Sequence, residues 1–265
     1  MEIHKPKPVH SWREFLSEIG VVVIGVCIAL AAEQSVEWLH WHVQVGEARE
    51  VIATELTENL AGAINRVRQA DCVERGLDQL AIILDGAAKS GSLPPVGNIG
   101  IPWRQTYPSG AWESVIASQT ATHFPRQQLA DIASLYKVIQ RLAEFNSQEL
   151  EPWNSLFTMV GPGRRLDPAS EAKLRDALSQ ARSDSRGAAY LADQVIERAK
   201  AEHIAFSGDN LQRIAALQHD PATLDEGVCA PLGTPPQTYG QGYVWTPREK
   251  LMRARLANPP DFSEK

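Results

Sequence analysis

Apolar residues recur at steps of three and four along three long stretches of this 265-residue chain. Such spacing places them on one side of a helix that packs lengthwise against a partner. Helices with a single apolar stripe usually assemble as bundles. The pattern predicts an all-α fold, an antiparallel bundle of three or four helices. The first stripe is Leu56, Leu60, Ala63, Val67, Ala70, Val73 (or Glu74), Leu77, Leu80 and Leu84; the second is Leu129, Ile132, Tyr136, Ile139, Leu142 and Phe145; the third is Leu174, Leu178, Ala181, Ser185, Ala188, Leu191 (or Ala192), Val195 and Ala199.

Proline, glycine and aspartate mark the predicted helix ends. Pro125 is expected in the first turn of the second helix, and Asp167 with Pro168 at the N-cap and first position of the third. Gly208 is expected to end that helix, before a short one at residues 211–217. Residues 85–110 are expected to form a loop. Glycines and arginines at residues 161–165 follow no strand, so they indicate a linker in preference to a phosphate loop.

An uncharged run of fourteen residues, Ile19 to Ala32, lies between Glu18 and Glu33. Three interpretations compete: a retained membrane anchor, a cleaved signal peptide and a buried core helix. Fourteen helical residues cover only about 21 Å, short of a hydrocarbon core of about 30 Å. That length suits a signal peptide, and residues 29–31 offer an Ala-x-Ala-like cleavage site.

Tryptophans on both sides of the run favour the retained anchor. Trp12 precedes it, and Trp38 and Trp41 follow. Trp12 to Trp38 covers about 39 Å of helix, close to the full thickness of a bilayer with its headgroups. Aromatic residues at both membrane interfaces stabilise a spanning helix, and a discarded peptide gains nothing from the second group. These three tryptophans are the predicted membrane-interface residues, and residues 15–41 the predicted transmembrane helix.

Charge predicts the orientation. Lys5, Lys7 and Arg13 precede the run, whereas Arg49 is the only lysine or arginine within residues 33–50. Positive residues are retained in the cytoplasm. We therefore expect a cytoplasmic segment at residues 1–14, a periplasmic bundle at residues 42–218 and an irregular, proline-rich tail at residues 219–265. A net charge of −6 argues against nucleic-acid binding.

Small residues line one side of the predicted span. Gly25, Ala29 and Ala32 recur at steps of four and three. Small residues let two spans approach closely, so they are candidates for self-association. The alternative is an alanine-rich span that packs against nothing.

Three aromatic residues lie in or beside the predicted loop: Trp103, Tyr107 and Trp112. They either clamp the loop onto the bundle or form an exposed patch for a partner. We favour the clamp and keep these residues as partner-patch candidates.

Cys72 and Cys229 are the only cysteines outside the span, where Cys27 lies. In an exported domain such a pair is usually bonded. The alternative is two unrelated buried thiols.

No catalytic or cofactor motif is recognisable, so we expect neither an enzyme nor a bound cofactor. Glu37 and His40 have the spacing of a metal-binding pair, but the expected bundle offers no second Glu-x-x-His copy. We therefore predict no metal site.

The stretch "SWREFLSEIGVVVIGVCIALAAEQSVEWLHW", with "EAREVIATELTENL" after it, resembles the start of a family of uncharacterised bacterial single-pass membrane proteins. A second block, "AWESVIASQTATHFPRQQLADIASLYKVIQ", resembles that family's later helices. The resemblance implies a retained anchor and an extracytoplasmic helical domain, and it assigns no catalytic residue.

These features predict an inner-membrane protein whose periplasmic domain binds other proteins, as a scaffold or accessory subunit. The expected partners are the lipid bilayer and either another protein or further copies of this chain. The alternative function is a ligand-sensing bundle that works with a separate transducer.

Overall fold

The computed structural model describes residues 12–201 and 208–217, with Cys229 and Leu232. The predicted tail at residues 219–265 otherwise lies outside the described residues, as does most of the predicted cytoplasmic segment. The all-α prediction is confirmed, since the only sheet among the described residues has two short strands. The elements in chain order are α1 (Trp12–Ser90), β1 (Ser92–Leu93), α2 (Gly110–Ala117), α3 (Arg126–Gln148), α4 (Leu150–Leu156), β2 (Arg164–Arg165), α5 (Pro168–Ala201) and α6 (Gly208–Leu217), with 3-10 turns at Thr120–His123 and Phe157–Met159.

Helix α1 is the central element of the fold. It runs for 79 residues, which corresponds to about 118 Å. Residues 12–40 lie almost entirely exposed beyond the bundle, whereas from Trp41 onward one side of the helix is buried. Val45, Ile52 and Leu56 are the first apolar side chains that it buries against the other helices. The anchor candidate and the core of the bundle therefore belong to one continuous helix.

Side-chain contacts give the directions of the long helices. Arg175 and Arg182 of α5 bind Asp85 and Asp78 of α1, so later residues of α5 meet earlier residues of α1 and the two helices are antiparallel. Helix α3 behaves differently, since later residues of α3 meet later residues of α1. Gln128 accepts from Arg49, and Tyr136, farther along α3, donates to Glu55. Helix α3 therefore runs in the same direction as α1 and antiparallel to α5.

The predicted apolar stripes of α3 and α5 are buried or half-buried throughout. The stripe of α1 is buried or half-buried from Leu56 to Ala63 and buried again from Val73 to Leu84. The prediction was wrong at Val67, which is exposed while its neighbours Arg66 and Gln69 are buried. Two apolar clusters result, one on each side of this polar part of the helix.

The structure corrects three predicted boundaries and supports a fourth. Helix α1 continues to Ser90, so the loop is residues 91–109, shorter than the predicted 85–110. Pro125 occupies the N-cap of α3 instead of its first turn, because its ψ of 132° is not helical. Gly208 begins α6 and does not end α5. Asp167 caps α5 as predicted, accepting from the backbone N–H of Ala169 and Ser170.

The segment around Arg164 pairs with the start of the loop. Ser92 and Leu93 lie antiparallel to Arg165 and Arg164. The guanidinium of Arg164 donates to the backbone carbonyls of Thr158 and Pro162. This arginine therefore closes a turn, in agreement with the linker interpretation.

Candidate functional site

The exposed part of α1 is the first candidate site. It contains a window long and apolar enough to cross a membrane, and the described residues bury none of that window. The packing of the described residues therefore does not support the interpretation as a buried core helix. Exposed apolar side chains cover all sides of this segment: Val21, Val22, Val23, Ile24, Val26, Ile28 and Leu30. A helix that is apolar all round is stable only when buried in protein or in lipid.

The predicted membrane-interface tryptophans differ in their surroundings. Trp12 and Trp38 are 72% and 67% exposed. Trp12 packs against Phe15 of its own helix, and Trp38 stacks on His42. Trp41 is half-buried and stacks on His123, with ring centroids 3.7 Å apart. Trp41 therefore marks the level of α1 at which the bundle begins.

The predicted small-residue stripe of Gly25, Ala29 and Ala32 is fully exposed. A Cβ atom built on Gly25 would meet no other atom within 4 Å. The described part of the chain thus leaves this side of the helix uncovered. Two shallow depressions on the exposed segment are lined by α1 alone, the larger by Ala32, Glu33, Val36, Glu37 and His40. Both are open at the surface of the helix and are not enclosed cavities.

The three loop aromatics are half-buried, as the clamp interpretation requires. Tyr107 and Trp112 pack against the apolar cluster nearer the span. Trp112 also stacks on Tyr136 of α3, with centroids 5.4 Å apart. These side chains hold the loop to the bundle and do not form an exposed aromatic patch.

Polar side chains of α1 and α3 bind the backbone of this loop. Gln69 accepts from the N–H of Trp103 at 2.7 Å and donates to the carbonyl of the same residue at 3.2 Å. Asn146 and Asn59 each donate at 2.9 Å, to the carbonyls of Gln105 and Pro108. The loop therefore runs back along α1 from Ser90 toward the span. Helix α3 can then start at the end of the bundle nearer the span and run parallel to α1.

Glu55 holds the far end of the loop. Its carboxylate accepts from the backbone N–H of Ala111 at 2.8 Å, in the first turn of α2, so a residue of α1 acts as the helix cap. The hydroxyl of Tyr136 donates to the same carboxylate at 2.6 Å. Burial, together with this hydrogen bond to a carboxylate, raises the pKa of Tyr136 far above its ordinary value. The tyrosine is therefore a hydrogen-bond donor throughout the physiological pH range.

An ion pair lies in the middle of the bundle. Arg66 donates at 2.8 Å to Glu149, which lies between α3 and α4, and the two side chains are 2% and 5% exposed. The same nitrogen of Arg66 donates to the hydroxyl of Ser185 in α5 at 3.1 Å. One arginine therefore joins all three long helices at the boundary between the two apolar clusters.

Sequence reasoning missed these polar residues. The spacing predicted Val67 as the core position, and an arginine is rarely fully buried unless it is paired. Its partners lie 83 and 119 residues away in the sequence, so no local pattern points to them. The available indication was a group of four polar residues in the middle part of α1: Asn59, Asn65, Arg66 and Gln69.

The predicted cysteine pair comes together. Cys72 and Cys229 form a disulfide, with Cα atoms 4.7 Å apart. A guanidinium nitrogen of Arg75 lies 3.4 Å from the sulfur of Cys72. Cys229 and Leu232 also pack against the apolar cluster farther from the span. The bond thus fixes this point of the C-terminal region to α1.

Gly62 allows the loop to approach α1 closely. A Cβ atom at this position would lie 2.5 Å from Cγ of Gln105 and 3.2 Å from the ring of Tyr107. We expect Gly62→Ala to lower the free energy of unfolding by about 1–3 kcal/mol, the usual cost of overpacking. Urea unfolding monitored by tryptophan fluorescence measures the change.

Gly86 provides the matched control. It lies in the same helix, and its added Cβ would meet nothing within 4 Å. Because alanine favours a helix over glycine, Gly86→Ala should stabilise the protein by about 0.4–1 kcal/mol. Equal effects of the two substitutions would contradict the proposed close approach of the loop.

The chain matches no protein-family model, and neither a curated protein nor a solved structure shows significant similarity to it. The resemblance to a family of bacterial single-pass membrane proteins therefore stays a prediction from the residues quoted above. The function proposed below is argued from the geometry of α1 and of the bundle that packs against it.

Proposed function

We propose that this chain is a single-pass inner-membrane protein whose helical domain lies on the extracytoplasmic side and binds other proteins, as a scaffold or accessory subunit. The observation that carries the proposal is the division of α1. Its N-terminal part exposes apolar side chains on every side, whereas the rest is amphipathic and buries one side in the bundle. Lipid is the surrounding in which the apolar N-terminal part is stable, and the polar outer surface of the bundle is stable in water.

The orientation is supported by charge and by the cysteines. Lys5, Lys7 and Arg13 precede the span, and such residues are retained in the cytoplasm. The Cys72–Cys229 pair lies on the other side of the span. Disulfides persist in the periplasm and are rare in the reducing cytoplasm. Both features favour an extracytoplasmic bundle.

An interaction role is supported by the way in which the bundle uses its buried polar groups. Gln69, Asn59 and Asn146 bind the backbone of the loop, and Arg66 pairs with Glu149. These groups stabilise one fixed shape of the domain. A rigid helical domain held beside the bilayer by a continuous helix is suited to binding partners at a defined distance from the membrane.

Two lysines placed in the span should release the protein from the membrane. Each lysine at a helix centre costs about 2.5–3.5 kcal/mol of insertion free energy, so Ile24→Lys with Ile28→Lys should prevent insertion. We expect the unmodified chain in the carbonate-resistant membrane pellet with Cys72 and Cys229 oxidised. The variant should appear in the soluble fraction with both thiols reduced, as measured by alkylation and mass shift.

The matched control places the same change on the bundle. Val51 and Ile82 are 56% and 70% exposed, so Val51→Lys with Ile82→Lys leaves the core and the span intact. This variant should stay in the pellet with its disulfide formed. Recovery of the unmodified chain in the carbonate supernatant would refute the anchor.

A further inference from the structure

A second uncovered surface lies on α1 between the span and the bundle. Val36, Leu39 and Val43 are 70%, 57% and 51% exposed. They follow Glu33, the charged residue that ends the apolar run, and Val43 lies about 15 Å beyond it along the helix. These are large apolar side chains in the headgroup layer and the water next to it, where exposure is unfavourable.

Their spacing is that of a coiled coil. Val36, Leu39, Val43 and Gly46 follow steps of three, four and three, and we call these four residues the juxtamembrane seam. In heptad notation valine occupies both a positions and leucine the d position between them. A β-branched residue at a with leucine at d favours a parallel two-stranded coiled coil.

The seam faces away from the bundle. Residues two positions apart on an α-helix point about 200° apart, so Val45, which is buried in the bundle, points opposite to Val43. Farther along, Thr57, which continues the heptad of the seam, is fully buried, and the neighbouring Glu58 pairs with Arg213 of α6. Val36, Leu39 and Val43 are exposed and Gly46 is half-buried, so the seam ends where the bundle closes around α1.

We propose that the juxtamembrane seam binds the same seam of a second copy of this chain, forming a short parallel two-stranded coiled coil at the membrane surface, where α1 enters the bundle. This inference rests on the proposed function, because insertion in one orientation makes two copies parallel and in register. A symmetric partner satisfies the pattern because each valine and leucine meets its own counterpart.

Polar residues beside the seam agree with that pairing. In a parallel coiled coil, a g residue faces the e residue five positions later on the other helix. His42 at g would face Glu47 at e of the second copy, which places a hydrogen-bonding imidazole opposite a carboxylate. The preceding pair is Ser35 with His40, so no like charges meet across the interface.

The same heptad continues into the span with smaller residues. Stepping back from Val36 by four, three and four gives Ala32, Ala29 and Gly25, all exposed. In lipid, burial of apolar area gives no driving force, and small residues allow the backbone contacts that hold helices together. In water, valine and leucine supply the hydrophobic energy. The change in residue size along one line of the helix therefore follows the change of solvent.

Cysteine crosslinking of the full chain in its own membranes tests the proposal. Val36→Cys, Leu39→Cys and Val43→Cys are made singly in a Cys27→Ala background, with the native disulfide left in place. Gln34→Cys and Glu37→Cys are the matched controls, since both residues are exposed and lie on the other side of the same turns. Copper phenanthroline oxidises the samples, and nonreducing gels report the dimer.

We expect the three seam positions to crosslink at least about fivefold more than the controls, because a disulfide requires Cα atoms within about 7 Å. In the Val36→Cys background, His42→Glu should lower the dimer yield by placing two carboxylates opposite each other, and adding Glu47→Lys should restore it.

Equal crosslinking at seam and control positions, or none at the seam, would overturn the dimer. A seam-specific adduct of another mass would also overturn it and would indicate a different partner. Carbonate extraction of the same samples distinguishes failure of the dimer from failure of the anchor. Protein that stays in the pellet without preferential crosslinking at the seam refutes the dimer alone. Protein in the supernatant refutes the anchor, and its crosslinking pattern still tests the dimer.

Discussion

Replacing Arg66 with methionine is expected to lower the free energy of unfolding by about 3–5 kcal/mol, the usual cost of breaking a buried ion pair from one side. Methionine fills similar volume, so the main loss is electrostatic. Glu149 would be left at 5% exposure without its partner, and the hydroxyl of Ser185 would lose its donor. Urea unfolding of the full chain in detergent, monitored by circular dichroism, measures the effect.

The double variant Arg66→Met with Glu149→Gln is the control. It removes both charges, so no unpaired ion remains buried, and replacing both partners of a buried pair is often nearly neutral. We expect it to recover at least half of the lost stability. If the double variant loses the sum of the two single effects, the two residues are not coupled and the proposed ion pair is refuted.

Loss of the Cys72–Cys229 disulfide is the second large effect that we expect. The bond closes a loop of 157 residues, and opening it should lower the free energy of unfolding by about 2–5 kcal/mol because the unfolded chain gains conformational freedom. Part of the loss should come from the apolar cluster that Cys229 and Leu232 contact, since the bond holds them against α1. Thermal unfolding with and without dithiothreitol measures the change.

The variant Cys72→Ser with Cys229→Ser separates reduction from side effects of the reagent. It should unfold like the reduced protein, and dithiothreitol should not change its melting temperature. A third variant, Cys27→Ser, removes the thiol in the span and should keep the response to the reductant. An unmodified chain that melts at the same temperature in both conditions would show that the disulfide does not stabilise the fold.

Local spacing was enough to predict the three long helices of this fold. The stripes of α3 and α5 each use steps of three and four residues, and every predicted position in them is buried or half-buried. The cap at Asp167 was also predictable, because an N-cap is recognised by residues that adjoin it in the sequence. The continuous α1 agrees with the lack of any strong helix breaker between Ala32 and Leu84.

The polar centre of the bundle was not predictable in the same way. Arg66, Glu149 and Ser185 come from three separate helices, and only the tertiary structure brings them together. The parallel direction of α3 was missed for a related reason, because it depends on the loop running back along α1. Gln69, Asn59 and Asn146 hold the loop there by binding its backbone, and backbone atoms leave no pattern in the sequence.

The exposed part of α1 shows how sequence and structure complement each other. Composition identified an apolar run but left the buried core helix as an alternative. The structure does not support that alternative, because nothing in the described part of the chain covers the run. It also shows that exposure continues past Glu33 to Val43, which the fourteen-residue run alone did not indicate.

Compartment-specific labelling of single cysteines tests the central claim, that α1 crosses the membrane and carries the bundle outside. Ser11→Cys and Ser179→Cys are introduced separately in a Cys27→Ala background. Ser11 belongs to the predicted cytoplasmic segment, and Ser179 is exposed on α5. Intact spheroplasts are treated with a membrane-impermeant maleimide, and parallel samples are treated after lysis. We expect Ser179→Cys to be labelled in both and Ser11→Cys only after lysis. Labelling of Ser11→Cys in intact spheroplasts, or protection of Ser179→Cys, would contradict the proposed topology.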